Sequence, residues 1–339
     1  MDSLTQLVLG AACGEIVLGR KIGNKALLFG AIGGTIPDLD VILGKVFYAN
    51  SIDQLAFHRG VMHSILFAVL GGVLIGYSVF YIYNSGKRKH TTTAKDWIWL
   101  FFLSIFTHPI LDSFTPYGTQ LFLPFSNYRV AFNNISVADP FYTLPFLGCL
   151  IAILFFARRN PKRLFWLKAG VYISSVYMVV TLLNKLYIDT VFRDAFERAN
   201  VTYSRFSTQP TILNNFLWYG IAETETDYKV AFYSIFDTKD PAENVFILDK
   251  NHGLINLEHH DIKTLMWFSN GYFNVEKMDS VTWRYNDLRY PLLNQEDKNS
   301  SVFSFMLKKN GERFEALPLY DKVPTKNDVI KFKERVFGN

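Results

Sequence analysis

Four short stretches of the chain carry His and Asp side chains at spacings that suit metal chemistry. They are P-D-L-D at 37–40, H-R-G-V-M-H-S at 58–64, T-H-P-I-L-D at 107–112 and N-I-S-V-A-D-P at 134–140. Ionisable side chains inside or beside apolar segments are costly, so they are candidates for a functional site by default. Imidazole mixed with carboxylate suits zinc, manganese or iron better than calcium. We therefore expect a metal-activated hydrolytic site.

The spacing within each stretch indicates which side chains reach an ion. His108 and Asp112 are four positions apart, which on a helix places them on one face about 6 Å apart at Cβ. Asp38 and Asp40 lie in a turn after a proline, where two carboxylates one residue apart bind or bridge a cation. The two histidines of 58–64 do not share a helical face, so the first is expected in an entry loop. The predicted ligands of one or two divalent ions, with zinc favoured, are Asp38, Asp40, His58, His63, His108 and Asp112.

Other polar residues beside these ligands are candidates for catalysis. Arg59 is predicted to clamp a phosphate oxygen with two donors, and a salt bridge to a carboxylate such as Asp53 is the structural alternative. Asp139 and Asn134 are predicted to orient the histidine ligands. Glu15 either pairs with the arginine five positions later or faces the site as a base or a ligand.

Long apolar stretches before residue 190 must position these side chains. Of the 339 residues, 50% are hydrophobic and only 19% are charged, below the roughly 25% of soluble domains. A helix needs about 20 apolar residues to span the hydrocarbon of a bilayer. Two shorter segments, 4–19 and 26–36, are predicted to form a helical hairpin or a partly re-entrant pair. The four predicted transmembrane helices cover residues 61–83, 97–111, 141–157 and 164–188.

Lysine and arginine residues in the short loops predict the orientation of these segments, because cytoplasmic loops are enriched in them. If the segments alternate, three basic loops fall on one side of the membrane, at residues 20–25, 87–95 and 158–163. The loops at 37–60 and 112–140 then face outward. The sequence therefore predicts a multi-pass protein with its metal site at the outer face of the membrane.

The pattern changes towards the C-terminus, where charges and alternation replace the apolar runs. A helical membrane domain at 1–198 is predicted to precede a small extracytoplasmic α+β domain at 199–339. Strand-like runs at 218–226 and 228–236, separated by a polar Thr-Asp turn, predict a β-hairpin. Further predicted elements are strands at 245–248, 280–285 and 301–307, an Asn310-Gly311 turn and a short helix at 259–270.

In its motifs the chain resembles the YdjM/YbcI-type (DUF457-like) family of membrane-bound, predicted metal-dependent hydrolases. The resemblance lies in M-D-S-L-T-Q-L-V-L-G-A-A, G-A-I-G-G-T-I-P-D-L-D, H-R-G-V-M-H-S, T-H-P-I-L-D-S-F-T-P-Y-G-T-Q-L and N-I-S-V-A-D-P-F, in that order. It covers about the first 190 residues, and many members have His where this chain has Gln6. The resemblance implies a metal hydrolase of a bacterial cytoplasmic (inner) membrane and leaves the substrate open.

These patterns favour hydrolysis of a phosphoester in a lipid or lipid-linked molecule, because a site at the membrane face suits an amphiphilic substrate. The alternative is a non-enzymatic transporter or scaffold whose outer domain binds a partner. A transport path places ionisable groups at several depths and often uses matched half-helices, whereas the groups here cluster at one depth. The net charge of +5 is too small to indicate nucleic acid binding, and protein partners are left open.

Overall fold

A computed structural model describes residues 1–292, 301–319 and 326–338. Contacts between Cα atoms divide the chain into two compact units. The first comprises Met1–Leu43 and Phe57–Leu182, and the second comprises Gly44–Ala56 and Leu183–Asn339. The first unit is helical, and the second contains the β-sheets. Residues 44–56 and 183–198 thus group with the C-terminal unit, although the sequence pattern assigns them to the membrane domain.

Several helices of the N-terminal half begin at polar capping residues. The helices of this half are α1 (Ser3–Ile22), α2 (Asn24–Thr35), α3 (Asp40–Phe47), α4 (Ser51–Phe57), α5 (Ile65–Tyr83), α6 (Ala94–Asp112), α7 (Pro140–Leu154) and α8 (Pro161–Arg198). The Asp2 carboxylate accepts a hydrogen bond from the Thr5 backbone N–H at the start of α1, and Ser64 does the same for Phe67 in α5. Short 3₁₀ turns at Pro37–Leu39 and Val61–His63 precede α3 and α5.

Two helices among the described residues are long and apolar enough to cross a membrane, namely α5 and α8. A third span is formed if α2 and Pro37–Phe47, which are bent by 43° at their junction, count as one broken span. Helix formation is thus confirmed for all four predicted segments, but four transmembrane helices are not. Helix α7 is too short, with only 15 residues, and α6 includes charged residues at both ends, which lower its hydropathy.

Helices α1 and α2 pack against each other so closely that only glycine fits between them. A Cβ atom on Gly14 would lie 2.0 Å from the carbonyl oxygen of Ala26, and one on Gly30 would lie 2.2 Å from that of Gly10. Small residues at four-residue spacing allow such close approach of helix backbones. The predicted N-terminal hairpin is therefore observed, and the facing glycines are the physical reason for it.

The second unit contains two four-stranded antiparallel sheets. The first sheet has the order β1 (Arg205–Pro210), β2 (Leu217–Glu223), β3 (Asp227–Ser234) and β4 (Phe246–Asp249). The second has the order β5 (Phe273–Lys277), β6 (Thr282–Asp287), β7 (Ser304–Asn310) and β8 (Arg313–Pro318), with helices α9 (His260–Phe268) and α10 (Lys326–Val336). The predicted hairpin is the β2–β3 pair, and the Asn310-Gly311 turn joins β7 to β8. Strands β1, β5 and β8 and helix α10 had no clear sequence signal.

Helix α4 belongs to the second unit because its apolar face completes that unit's core. Ile52 is fully buried among Ile262, Phe273 and other residues around the second sheet. The Asn50 side-chain amide donates to the Phe314 carbonyl oxygen at 2.8 Å. A short connection between two membrane-domain motifs therefore serves as a structural part of the C-terminal unit.

Candidate metal centre

Three separate chain segments of the first unit bring their polar side chains to one cluster. Asp38 lies in the 3₁₀ turn between α2 and α3, and His63 lies in the turn that precedes α5. His108 and Asp112 lie on one face of the last turn of α6. His63, His108 and Asp112 are almost completely buried, whereas the Asp38 side chain is 28% exposed.

The ligand atoms of this cluster lie close enough together to bind one metal ion. The His63 and His108 Nε2 atoms are 3.1 Å apart. Asp38 Oδ1 lies 3.6 Å from His63 Nε2 and 3.4 Å from His108 Nε2. Asp112 Oδ2 faces the same two nitrogens at 3.5 and 3.6 Å. Asp38, His63 and His108 thus form a group that could hold one ion, and Asp112 offers a fourth oxygen to it.

Backbone and carboxylate acceptors orient both imidazole rings. His108 Nδ1 lies 2.6 Å from the Gly34 carbonyl oxygen, which can only accept, so Nδ1 carries the proton. His63 Nδ1 lies 3.0 Å from Asp40 Oδ2, within ion-pair distance although off the line of a hydrogen bond. Metal-binding histidines are held in this way by their second nitrogen. Both Nε2 atoms are then left with lone pairs that point into the cluster.

The donor set fits a divalent metal ion. Two imidazole lone pairs at 3.1 Å and two carboxylate oxygens repel each other unless a proton or a cation lies among them. Zinc bound at about 2.0–2.1 Å in a tetrahedron places its ligands about 3.3–3.4 Å apart. The distances among Asp38, His63 and His108 range from 3.1 to 3.6 Å around that value. Asp112 Oδ2 forms an ion pair with Arg59 Nε at 3.1 Å but accepts no hydrogen bond in good geometry among the described residues.

Asp40 and His58, which were predicted as ligands, lie behind His63 instead of beside the shared centre. Asp40 Oδ1 lies 2.8 Å from His58 Nδ1, and Asp40 Oδ2 accepts a hydrogen bond of 2.9 Å from the Arg59 backbone N–H. Neither residue is in the group that could hold an ion. The reason is that Asp40 opens helix α3, so its carboxylate points to the 58–63 segment. We infer that these residues orient ligands.

Arg59 lies beside the cluster in a strained backbone conformation. Its φ angle is 58°, a left-handed value that non-glycine residues adopt at an energetic cost. Its Nε atom is 3.1 Å from Asp112 Oδ2, and Nη1 donates to Thr115 Oγ1 at 3.1 Å. The guanidinium carbon lies 4.5 Å from the centre of the Tyr117 ring. The alternative partner Asp53 binds Arg313 instead.

Gln6 is a member of the site that the residue pattern did not predict. Its side-chain amide donates to Asp112 Oδ1 at 2.8 Å and to the His108 carbonyl oxygen at 3.1 Å. The Met1 amino group also contacts Asp112 Oδ1. A polar residue within the first turns of an apolar helix was the available signal.

Three predicted catalytic residues are not brought to the cluster. The Glu15 carboxylate is bound by both Nε and Nη2 of Arg163, at 2.9 and 2.6 Å, and neither predicted role describes this pair. Asp139 caps α7 by accepting from the Phe141 backbone N–H, and it also accepts from the Tyr177 hydroxyl. Asn134 donates to Thr181 Oγ1. The partners of these residues lie far along the chain, which local spacing does not reveal.

A second group of ligand-type side chains is found in the other unit, at Asp53, His260 and Asp261. The Arg313 guanidinium already neutralises it, because Nη2 lies 3.0 Å from Asp53 Oδ2 and 2.7 Å from Asp261 Oδ1. Burial works to raise the pKa of Asp261, but hydrogen bonds from Arg313 and from a backbone N–H hold that pKa below its usual range. This group therefore functions as an ion-pair network and competes poorly for a metal.

Comparison with known proteins gives a similar protein and a matching family model. The uncharacterised protein YfhP of Bacillus subtilis (strain 168) is 28% identical over 198 residues, which cover 55% of this chain and 57% of the relative. The match thus spans little more than half of that relative's length. No solved structure matches the chain. The family model described as YdjM inner membrane protein matches residues 1–188, which contain every residue of the candidate centre. The chain therefore belongs to the YdjM inner membrane protein family.

Proposed function

We propose that this protein is a membrane-bound metal-dependent hydrolase that cleaves a phosphoester of a lipid or lipid-linked substrate at the outer face of the membrane. The observation that carries the proposal is the convergence of Asp38, His63 and His108 on one point. These side chains come from three chain segments, and both rings are oriented by their Nδ1 atoms. Structural polar residues satisfy one another, whereas these leave donor lone pairs facing a common centre.

The residues of the cluster have separable roles in this mechanism. Asp38, His63 and His108 hold the ion, and Asp112 completes the donor set. A divalent ion held there supplies Lewis acidity, which polarises a phosphoryl oxygen and makes water a nucleophile near neutral pH. Zinc suits the two imidazoles and carboxylates, and manganese or iron are alternatives. Arg59 supplies a fixed positive charge next to the donors, and guanidinium groups bind phosphate oxygens with two parallel hydrogen bonds.

Exposed apolar side chains next to the cluster support an amphiphilic substrate. Leu39, which follows the ligand Asp38, is 47% exposed, and Ile42 in α3 is 60% exposed. Val61, two positions before His63, is 54% exposed. The acyl chains of a lipid can pack against such a surface, whereas a water-soluble phosphoester has no apolar part that would do so. The polar head group would then lie at the donors.

Contacts between the basic loops support the outer-face assignment. Lys21 at the end of α1 lies 2.5 Å from Asp96 at the start of α6, and Arg158 donates to the Lys21 carbonyl oxygen. The donor cluster lies at the opposite end of the same two helices, where Gln6 meets Asp112. Sixteen helical positions between Asp96 and Asp112 correspond to about 24 Å. Basic residues mark the cytoplasmic end, so the cluster is proposed at the other end.

Metal analysis of purified, detergent-solubilised protein tests the proposal directly. We expect near-stoichiometric transition metal in the unaltered chain, and loss of both metal and phosphoesterase activity in His108→Ala and Asp38→Ala. His260→Ala is the control, because that side chain is largely exposed and outside the cluster. Variants of Asp38 and His108 that retain full metal and activity would contradict the assignment. A panel of phosphomonoester and phosphodiester lipids would identify the substrate.

A further inference from the structure

The loop between α6 and α7 exposes an unusual set of aromatic rings. We refer to residues 121–132 as the aromatic loop. Phe125 is 88% exposed, and Phe122, Tyr128 and Phe132 are exposed by 49, 65 and 51%. The stretch 122–128 reads F-L-P-F-S-N-Y and contains no charged residue. Exposed apolar groups of this size mark an interaction surface more often than a solvated loop.

The aromatic loop is fixed to the segments that carry the candidate centre. The backbone N–H of Phe132 donates to the carbonyl oxygen of Ser113, which directly follows Asp112, at 2.8 Å. At the other end, the Gln120 N–H donates to the Arg59 carbonyl oxygen at 3.1 Å. An isolated β-bridge also joins residues 119 and 130 at the base of the loop. The base of the loop is therefore attached to the segments that carry Asp112 and His63.

The loop is continuous with the apolar surface of a candidate membrane span. The backbone N–H of Ile65, the first residue of α5, donates to the Leu121 carbonyl oxygen at 2.9 Å. Along α5, exposed apolar residues include Leu66, Leu70 and Leu74. The rings thus lie where this helix would leave the hydrocarbon. Aromatic side chains mixed with small polar ones are typical of that interfacial layer.

We propose that the aromatic loop inserts into the interfacial layer of the bilayer and holds the donor cluster at the depth of the lipid phosphates. The occupant of this surface is lipid, as continuity with α5 and the lack of charge in residues 122–128 indicate. Substrate access rests on the proposed function: a lipid head group would reach Asp38 and His63 by moving laterally from the membrane. Insertion itself requires no catalytic activity, so the two proposals fail separately.

A fluorescent label at the tip of the loop tests insertion. Phe125→Cys is made in a chain with Cys13→Ala and Cys149→Ala, labelled with a polarity-sensitive fluorophore and reconstituted into phosphatidylcholine–phosphatidylglycerol vesicles. We expect emission at shorter wavelength than for Lys87→Cys in the exposed basic loop, and quenching by lipids with a nitroxide near the glycerol level. Water-like emission without quenching would overturn the proposal. Shortened wavelength without lipid quenching would also overturn it and would indicate a protein partner.

A double variant separates insertion from catalysis. Phe125→Ser with Tyr128→Ser should retain the metal content of the unaltered chain, because both side chains are largely exposed. Hydrolysis of a vesicle-borne phosphodiester lipid should fall several-fold, while hydrolysis of a short-chain, water-soluble analogue stays unchanged. Equal rates on vesicles for the double variant and the unaltered chain would refute the role of the loop. Full metal content and activity in His108→Ala, with lipid quenching at position 125 intact, would refute only the hydrolase.

Discussion

A single carboxylate arranges much of the candidate centre. Asp40 is 1% exposed, and its two oxygens contact the His58 ring, the His63 ring and the Arg59 backbone N–H. Its charge beside His63 Nδ1 favours the tautomer that presents Nε2, and the hydrogen bond that it accepts from the Arg59 N–H fixes the backbone of the arginine. Asp38, two positions earlier, faces the shared centre instead. Two neighbouring aspartates thus have different tasks.

The substitution Asp40→Asn should distinguish an orienting residue from a ligand. The amide keeps the size of the side chain but loses the charge that favours the His63 Nδ1–H tautomer. Loss of such an orienting partner typically lowers metal affinity by about 10–100-fold, so the variant should bind metal more weakly but still bind it. Asp38→Asn should bind none. Competition with a chelator measures both affinities, and equal loss in the two variants would show that Asp40 is itself a ligand.

The sequence identifies the residue types of the centre better than their partners. The four-residue spacing of His108 and Asp112 predicts their shared face correctly, because it depends only on helix geometry. The P-D-L-D turn does not reveal which aspartate faces the centre, since that depends on where helix α3 begins. Glu15 is bound by an arginine 148 positions away. Local spacing carries no information about such a contact.

At the scale of elements, the α1–α2 hairpin connects helix packing to the candidate centre. The Gly34 carbonyl oxygen that orients His108 lies in the last turn of α2, and Asp38 follows this helix closely. The position of α2 against α1 is in turn set by glycines whose Cβ atoms would collide with backbone. Separation of the two helices should therefore displace a ligand and an orienting group together.

Gly30→Ala tests this connection, with Gly148→Ala as its matched control. A Cβ on Gly30 would meet the Gly10 carbonyl oxygen, whereas a Cβ on Gly148 in α7 would meet no atom within 4 Å. Overpacking of this kind costs about 1–3 kcal/mol, and alanine in an open helical position stabilises by up to about 1 kcal/mol. We expect a lower unfolding temperature and weaker metal binding for Gly30→Ala only. Equal effects of both substitutions would rule out the close helix contact.

The extent of the elements was less predictable than their type. The strand-like runs of β2 and β3 with the polar turn between them and the Asn-Gly turn after β7 are local signals, and the structure confirms both. Strand β1 alternates poorly, since Arg205–Pro210 contains four polar or charged side chains. The membership of α4 in the second unit depends on Ile52 packing against residues more than 200 positions away. Tertiary contacts of this kind have no periodic signature.

At the scale of the whole molecule, α8 has the length and composition to cross a membrane. It has 38 residues, which correspond to about 57 Å, well beyond the roughly 30 Å of hydrocarbon. It begins at Pro161 within the basic stretch 158–163 and ends at Arg198, before the first strand of the C-terminal unit. The proposed orientation, in which α8 crosses the membrane, requires the basic stretch and the strands to lie on opposite sides.

Cysteine labelling in intact cells should therefore separate two exposed positions. Glu225 lies in the turn between β2 and β3, and Lys87 lies in the basic loop after α5; both are exposed. In a chain with Cys13→Ala and Cys149→Ala, a membrane-impermeant thiol reagent should modify Glu225→Cys directly and Lys87→Cys only after permeabilisation. The physical reason is the preference of lysine and arginine for the cytoplasmic side. The reverse pattern, or equal labelling of both positions, would remove the basis for an outer-face site, because the donor cluster lies at the end of α1 and α6 remote from their basic residues.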